Sequence, residues 1–429
     1  MLTFYLVTAI LFITIIIGIP IAFAIALTTI IYILIACPEQ LTVVPLRMFS
    51  GVDSFILMCM PLFVIAAEIM LKTGISEKLF SFVRIFVGRL RGGLAYVNVL
   101  ASTIFGSLAG AALADVAGLG KIEIDAMVKE GYPREFSCGL TVGSSIQSPL
   151  IPPSGVVVLY GGIMSLSIGT LLIAGFIPGL TLALLELLWI FINRKRLKMP
   201  KDTTRYTWAQ KIAIFKNGLF ALVMPLIIVG GIVGGFVTPT EAAGAAVAYA
   251  LLVGAVIWRN LEFNTIIKGL FEAALSSAKL FLIIAFSSAF AWVMGTQNVP
   301  EQIAKSLLNF TDNPLVMLLV INILLVIIGM WMDQGAAIIL FAPILAPIAY
   351  KMGINPYHFA IVMITNLTVG LITPPVGVVL YAGAAVGEIS FVKMCKATLP
   401  YIIVGIAVIA VMTLYPDFVL SVPRMLGML

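Results

Sequence analysis

The chain has 429 residues, 62% of them hydrophobic and 10% charged, with a formal net charge of +6 and a mean hydropathy of +1.16. A soluble domain carries about a quarter charged residues, so this composition excludes a water-soluble enzyme and points to an all-α polytopic membrane protein. The four cysteines, Cys37, Cys59, Cys138 and Cys395, form no C-x-x-C pair and read as packing residues.

In chain order, residues 2–36 are expected to form a first transmembrane helix. They lack the basic start of a signal peptide, and their apolar run is too long for one. A second span, 55–71, contains Pro61. The stretch "SEKLFSFVRIFVGRLRGG" interleaves Lys78, Arg84, Arg89 and Arg91 with aromatic and aliphatic side chains, the pattern of a helix lying at the membrane interface. Residues 94–114 are apolar but rich in small side chains, and "DVAGLGKIEIDAMVKEGYPRE" after them is too polar to face lipid. Together they predict a hairpin that enters the membrane and leaves on the same side. Residues 136–165 are broken at "SSIQSPLIPPSG". Residues 170–192 then lead into a connection crowded with Arg194, Lys195, Arg196, Lys198, Lys201, Arg205, Lys211 and Lys216, with Asp202 as its only acid. Such loops mark the cytoplasmic side, and with apolar spans on both flanks this one is not read as a nucleic-acid site.

The order then repeats. Residues 218–237 form a linking span. Residues 241–258 echo the first helix, with Thr240 as its expected cap and Glu241 favoring its N-terminal dipole. Residues 280–293 pair with the second span, 315–350 give a second hairpin, 359–386 carry a second break, and 398–414 close the chain. The first break contains "LIPPSGVVVLY" and the second "LITPPVGVVLY". The organization is therefore a first repeat (1–216), a linking helix (217–238) and a second repeat (239–429). One helix between the repeats inverts the second, and this topology places the basic loops of both on one side. Inverted repeats with paired discontinuous helices are the pattern of secondary transporters.

Proline removes a backbone donor and clashes with the preceding turn, so two in a row stop a helix and free carbonyls. Unpaired backbone inside a bilayer survives only where protein or a cavity satisfies it. Ser144, Ser145, Ser148 and Ser154 flank the first prolines; Asn366, Thr368 and Thr373 flank the second. Neutral oxygens of this kind suit a hard monovalent cation, and sodium is favored over protons. Asp115 and Asp333 fall at the turns of the two hairpins, where an intramembrane carboxylate is a functional candidate. His358, the single histidine, is expected to pack rather than relay protons. No nucleotide-binding P-loop, zinc-binding H-E-x-x-H or nucleophile elbow occurs, so no enzyme activity is expected and an ion gradient must drive any transport.

The phrases "SSIQSPLIPPS", "GFVTPTEAAGAAVAYA" and "GLITPPVGVVLY", in this order, resemble the large membrane subunit of tripartite ATP-independent periplasmic (TRAP) transporters, most nearly the sialic-acid members. The resemblance covers essentially the whole chain. It implies a scaffold and an elevator-type transport domain with two re-entrant helical hairpins, driven by sodium. It also implies a small four-helix membrane subunit, expected as a separate chain, a periplasmic solute-binding protein that delivers an organic acid, and a place in the bacterial inner membrane. Carried over residue by residue, a first sodium site would use Ser102, Ser144, Gln147 and Pro149. A second would use Gly329, Gly370, Thr373 and Val376. Asp115, Ser154 and Asp333 would face the substrate. Two departures touch this pocket: alanines at Ala111 and Ala112 where relatives carry a second serine, and Ile146-Gln147-Ser148 where many read T-I-G. The rival readings are a stand-alone sodium- or proton-coupled dicarboxylate carrier, and a membrane-embedded enzyme using Asp115 and Asp333.

Overall fold

The computed structural model describes residues 9–11, 13–14, 17, 19–36, 40–55, 57–201, 204, 206–296 and 313–429. Cys37, Asp202, Arg205 and the start of the first predicted span lie outside them. Among the described residues all regular structure is helical apart from an isolated bridge between Arg91 and Lys201. Seven helices among the described residues are long and apolar enough to cross a membrane, or eight if one bent pair counts as a span. The chain is thus a multi-pass α-helical membrane protein, as its composition requires.

The first elements are α1 (Ile21–Ala36), α2 (Val43–Val52), α3 (Cys59–Lys72) and α4 (Ile75–Val87). The α3–α4 pair bends by 71° at Gly74, whose φ of +71° suits a residue without a Cβ. Hairpin one consists of α5 (Gly93–Ala109), which ends at Gly110 (φ +64°), and the short α6 (Ala112–Gly118). Its polar return continues as α7 (Gly120–Lys129). Then come α8 (Arg134–Ser144), the first break, α9 (Gly155–Met164) and α10 (Ile168–Asn193). The second half contains α11 (Trp208–Val233), α12 (Pro239–Leu252) and α13 (Phe263–Thr296). Hairpin two is α14 (Pro314–Trp331) and α15 (Gln334–Lys351). After it come α16 (Pro356–Leu371), the second break, α17 (Val378–Gly387), α18 (Phe391–Leu414) and α19 (Asp417–Met425).

Three expectations are corrected. Helix α13 begins well before residue 280, because its N-terminal half mixes Lys268, Glu272 and Lys279 with apolar residues and escapes a hydropathy reading; there Glu272 pairs with Lys72 of α3 at 2.8 Å. The chain does not close at 414. The amphipathic α19 buries Val419 and Leu420 and packs on α10. Thr238, not Thr240, caps α12: its Oγ1 accepts from Glu241 N at 3.3 Å, and Glu241 Oε2 accepts from Thr238 N at 2.7 Å. Thr240 instead donates to Phe55 O at 3.0 Å, tying α12 to the start of α3.

Helices α1, α2, α3 and α12 pack together, most of them around α13, while α5 to α10 and α14 to α18 form a second packed group. Inside that second group the halves interlock. Helix α6 of hairpin one packs on α17, which follows the second break, and α15 of hairpin two packs on α9, which follows the first. One end of the molecule gathers the basic connections. Arg84 reaches Glu130 at 3.0 Å and Thr204 at 2.9 Å, and Gly92 N donates to Pro200 O at 2.9 Å. Arg134 pairs with Glu388 and Lys393 with Glu135, each at 3.0 Å. The loops that the positive-charge argument assigns to one side therefore lie together.

The crossing of α14 and α16 depends on the absence of two side chains. A Cβ at Gly370 would stand 2.6 Å from Gly329 Cα, and a Cβ at Gly329 would stand 2.6 Å from Leu367 O. The obstacles are backbone, so they cannot turn aside. Gly370→Val is expected to cost at least about 3 kcal/mol, read as a large drop in the melting midpoint of the purified protein. Gly244→Ala, where a Cβ meets nothing within 4 Å, should melt near the parent. A Gly370→Val protein as stable as the parent would refute this packing.

Candidate functional site

The first break follows from its prolines. Helix α8 ends in a single 3-10 turn, Ser145–Gln147. The chain then runs irregularly past Pro149, Pro152 and Pro153, with a cis Pro152–Pro153 bond, until Ser154 caps α9. The local backbone stays partnered: Leu150 N and Ile151 N both donate to Gln147 O at 3.0 Å, and Ser154 Oγ donates to Pro149 O at 2.6 Å. Helix α5 lies across the break, so close that a Cβ at Gly106 would be 2.7 Å from Ser148 Cα. From α5 a buried polar chain reaches the break. Ser144 Oγ is 3.1 Å from Ser102 Oγ and 3.0 Å from Asn98 Oδ1. Asn98 Nδ2 donates to Glu123 Oε2 at 2.8 Å and to Thr141 Oγ1 at 2.7 Å. Gln147 takes a hydrogen bond from Thr103 at 2.9 Å and donates to Val99 O at 3.0 Å. Ser148 Oγ donates to Asp115 Oδ2 at 3.0 Å.

The second break has the same plan. Helix α16 stops at Leu371, the chain passes a cis Pro374–Pro375 bond, and α17 starts after Gly377. Thr373 N donates to Gly370 O at 2.9 Å, and its Oγ1 donates to Val369 O at 2.7 Å. Gly377 N donates to Met330 O at 2.8 Å, which fastens the far side of the break to the end of α14. Asn366 Nδ2 donates to Asn322 Oδ1 at 3.0 Å, and Asn322 Nδ2 donates to Thr413 Oγ1 at 2.7 Å. Gln334 Nε2, at the start of hairpin two, donates to Ile364 O at 3.0 Å and Thr368 Oγ1 at 2.6 Å.

Of the residues singled out for the first ion site, Ser102 and Ser144 meet directly and are fully buried. Gln147 and Pro149 follow them in the break with their polar atoms engaged by α5 and by Ser154. For the second, Gly329 and Gly370 meet at the helix crossing and Thr373 adjoins Gly370. The half-buried Val376 precedes the Gly377–Met330 link. Both clusters present oxygen donors alone, from hydroxyls, carboxamides and backbone, which suits hard cations. Asp115 stands in α6 beyond the tip, buried and turned onto Ser148, whereas Asp333 is an exposed cap of α15, accepting from Gly335 N at 3.0 Å. Each aspartate is bonded on its own, and no hydrogen bond joins them. Ser154 is spent on capping: it accepts from Val157 N at 3.3 Å. His358 Nε2 lies 2.8 Å from Met412 O in a packed setting.

Sequence reading missed Asn98, Asn322 and Glu123. The first two had a signal: each is a lone amide in an apolar run, "YVNVL" and "VINIL", on the first arm of a hairpin. It also missed the wall opposite hairpin one. A cavity of 240 Å³ lies between the tip (Gly110, Ala111), the first break (Pro153, Gly155) and α3, with Met224 and Ile228 of α11. A more open one of 510 Å³, sharing Glu68, Leu71 and Ala114, continues along α3 and the turn to α4 beside α6 and α7. Neither Asp115, Ser154 nor Asp333 lines either cavity.

The sequence profile of the family described as "Tripartite ATP-independent periplasmic transporter, DctM component" matches residues 8–418. The chain is 36% identical over 411 residues to the sialic acid TRAP transporter large permease protein SiaM of Vibrio cholerae, covering 95% of both chains. It is 35% identical over 396 residues to the C4-dicarboxylate TRAP transporter large permease protein DctM of Pseudomonas aeruginosa, covering 92% of both. Among solved structures, the YdaH transporter of Alcanivorax borkumensis superimposes with a TM-score of 0.60 at 16% identity over 89% of both chains, a likeness of fold.

The amides of the two hairpin arms are not equal in what they hold. Asn322→Ala unpairs neutral groups and should cost about 1–3 kcal/mol. Asn98→Ala also strands the buried Glu123 carboxyl and should cost more. Melting of the purified variants checks the order; equal losses would contradict it.

Proposed function

Because the chain belongs to the DctM-component family, the large membrane subunits of TRAP transporters, we propose that it carries out sodium-coupled import of an organic acid. The one observation that best supports this is the pair of broken helices. Each is lined by buried oxygen donors, and the half-helix beyond each break packs on the hairpin of the other half. Sodium occupies the first break at Ser102, Ser144, Gln147 and Pro149, and the second at Gly329, Gly370, Thr373 and Val376. In both, freed carbonyls and hydroxyls replace the hydration shell of the ion, as half-helix ends do in other secondary transporters. The substrate occupies the cavity between the tip of hairpin one, the first break and α3. Asp115 supports that wall through Ser148, Ser154 shapes it by holding Pro149, and Asp333 at the tip of hairpin two meets the substrate during the cycle.

The two halves form inverted repeats. The group of α5 to α10 and α14 to α18 moves as an elevator against α1 to α3, α12 and α13, and the larger cavity along α3 and α4 opens toward the basic, cytoplasmic face. A small membrane subunit and a periplasmic binding protein complete the system in the bacterial inner membrane. Among organic acids, sialic acid is the reading favored by the sequence phrases and by the similarity to the Vibrio permease.

Proteoliposomes that contain the chain with its small subunit, supplied with the matching binding protein, should take up labeled sialic acid only under an inward sodium gradient. Uptake without sodium and without binding protein would instead support a stand-alone carrier. Ser102→Ala and Thr373→Ala should each raise the sodium concentration needed for half-maximal uptake; unchanged values in both would remove the ion assignments. Asp115→Ala and Asp333→Ala should lower uptake with folded protein retained, and parent rates in both would exclude their part in substrate handling.

A further inference from the structure

The two breaks share a plan but differ in charge. The second is surrounded by neutral groups: Asn322, Asn366, Gln334, Thr368 and Thr413. The first is joined to a carboxylate. Glu123, on α7, is fully buried; Oε2 accepts from Asn98 at 2.8 Å, and Oε1 has no hydrogen-bond partner. Among the described residues it forms no ion pair. Ionized, such a group is costly to bury unless a cation sits close enough to compensate. The hydrogen-bond path from it runs through Asn98 to Ser144 and Ser102, the pair already assigned to the first ion. Asn98 is oriented by this path: its amide nitrogen faces the carboxylate and its carbonyl oxygen faces Ser144.

We propose that Glu123 is the counter-charge of the first cation site. It acts as a positioning residue through Asn98, so that the first break binds a monovalent cation more tightly than the neutral second break. The inference rests on the sodium-coupled reading above. Asp115, bonded to Ser148 of the same break, adds negative field, and the second break has no such group bonded to it. Loading of the first site then neutralizes a buried charge, whereas loading of the second adds one.

The test uses the chain purified with its small subunit, at constant ionic strength with sodium replacing choline, and reads the sodium concentration that gives half of the full thermal stabilization. Glu123→Gln preserves shape and the bond from Asn98, and should raise that concentration on the order of tenfold, the size expected for one charge acting across roughly 10 Å at an effective dielectric constant of about 20. Glu123→Asp should stay near the parent. Adding Asn98→Asp to Glu123→Gln returns the charge to the same path and should restore much of the lost affinity, which a purely structural role would not produce. Parent-like sodium affinity in Glu123→Gln, or no recovery in the double variant, would overturn the proposal. If Glu123→Gln alone does not fold, the double variant Glu123→Gln with Asn98→Asp decides: sodium affinity near the parent's supports the counter-charge, and affinity weakened about tenfold overturns it. A parent protein that neither gains stability from sodium nor needs it for uptake would instead bring down the sodium reading itself.

Discussion

The structure depends on one constraint: a backbone polar group in the bilayer interior must find its partner within the protein. Two proline pairs interrupt helices in apolar sequence and free carbonyls there. The chain answers in the same way twice. A hairpin arm crosses each break at a glycine, Gly106 over Ser148 and Gly329 against Gly370, close enough that no side chain fits between. Serine, threonine and amide side chains take up part of the remaining donors and acceptors. The half-helices beyond the breaks are then covered by the opposite hairpins, so neither half closes its own break completely. This interlock joins both breaks within a single packed group.

The same arrangement divides labor. The oxygen clusters are buried inside the group that contains both breaks. The cavities lie at its boundary with α3, α4 and, for the smaller one, α11. The small side chains at the tip of hairpin one, Gly110 and Ala111, keep that boundary open. The basic loops collect at one end, tied by Arg84, Arg134 and Lys393 to acidic residues of neighboring elements, and give the molecule an electrostatic up and down.

Much of this was legible in the sequence, for a physical reason. Spans, breaks and basic loops are written as runs of composition, and the repeated proline phrase marks both breaks. Ser102 and Ser144 could be assigned together from a family resemblance, and the fold brings them within hydrogen-bond distance. What escaped depends on tertiary neighbors. The N-terminal half of α13 carries charges that end at a salt bridge with Lys72, which no hydropathy window anticipates. Asp115 and Asp333 look alike in sequence, yet one is sealed against Ser148 and the other caps a helix in the open. Glu123 looked like part of a polar loop because its partner, Asn98, lies on another helix.

Under the proposed function, both breaks hold ions that act on one transport body. The sodium dependence of the initial rate of uptake, measured in proteoliposomes over a wide range of sodium concentration at saturating substrate, tests it most directly. Two coupled sites predict a sigmoidal rise. A simple hyperbola, the signature of one ion per cycle, would rule out a coupled ion at each break.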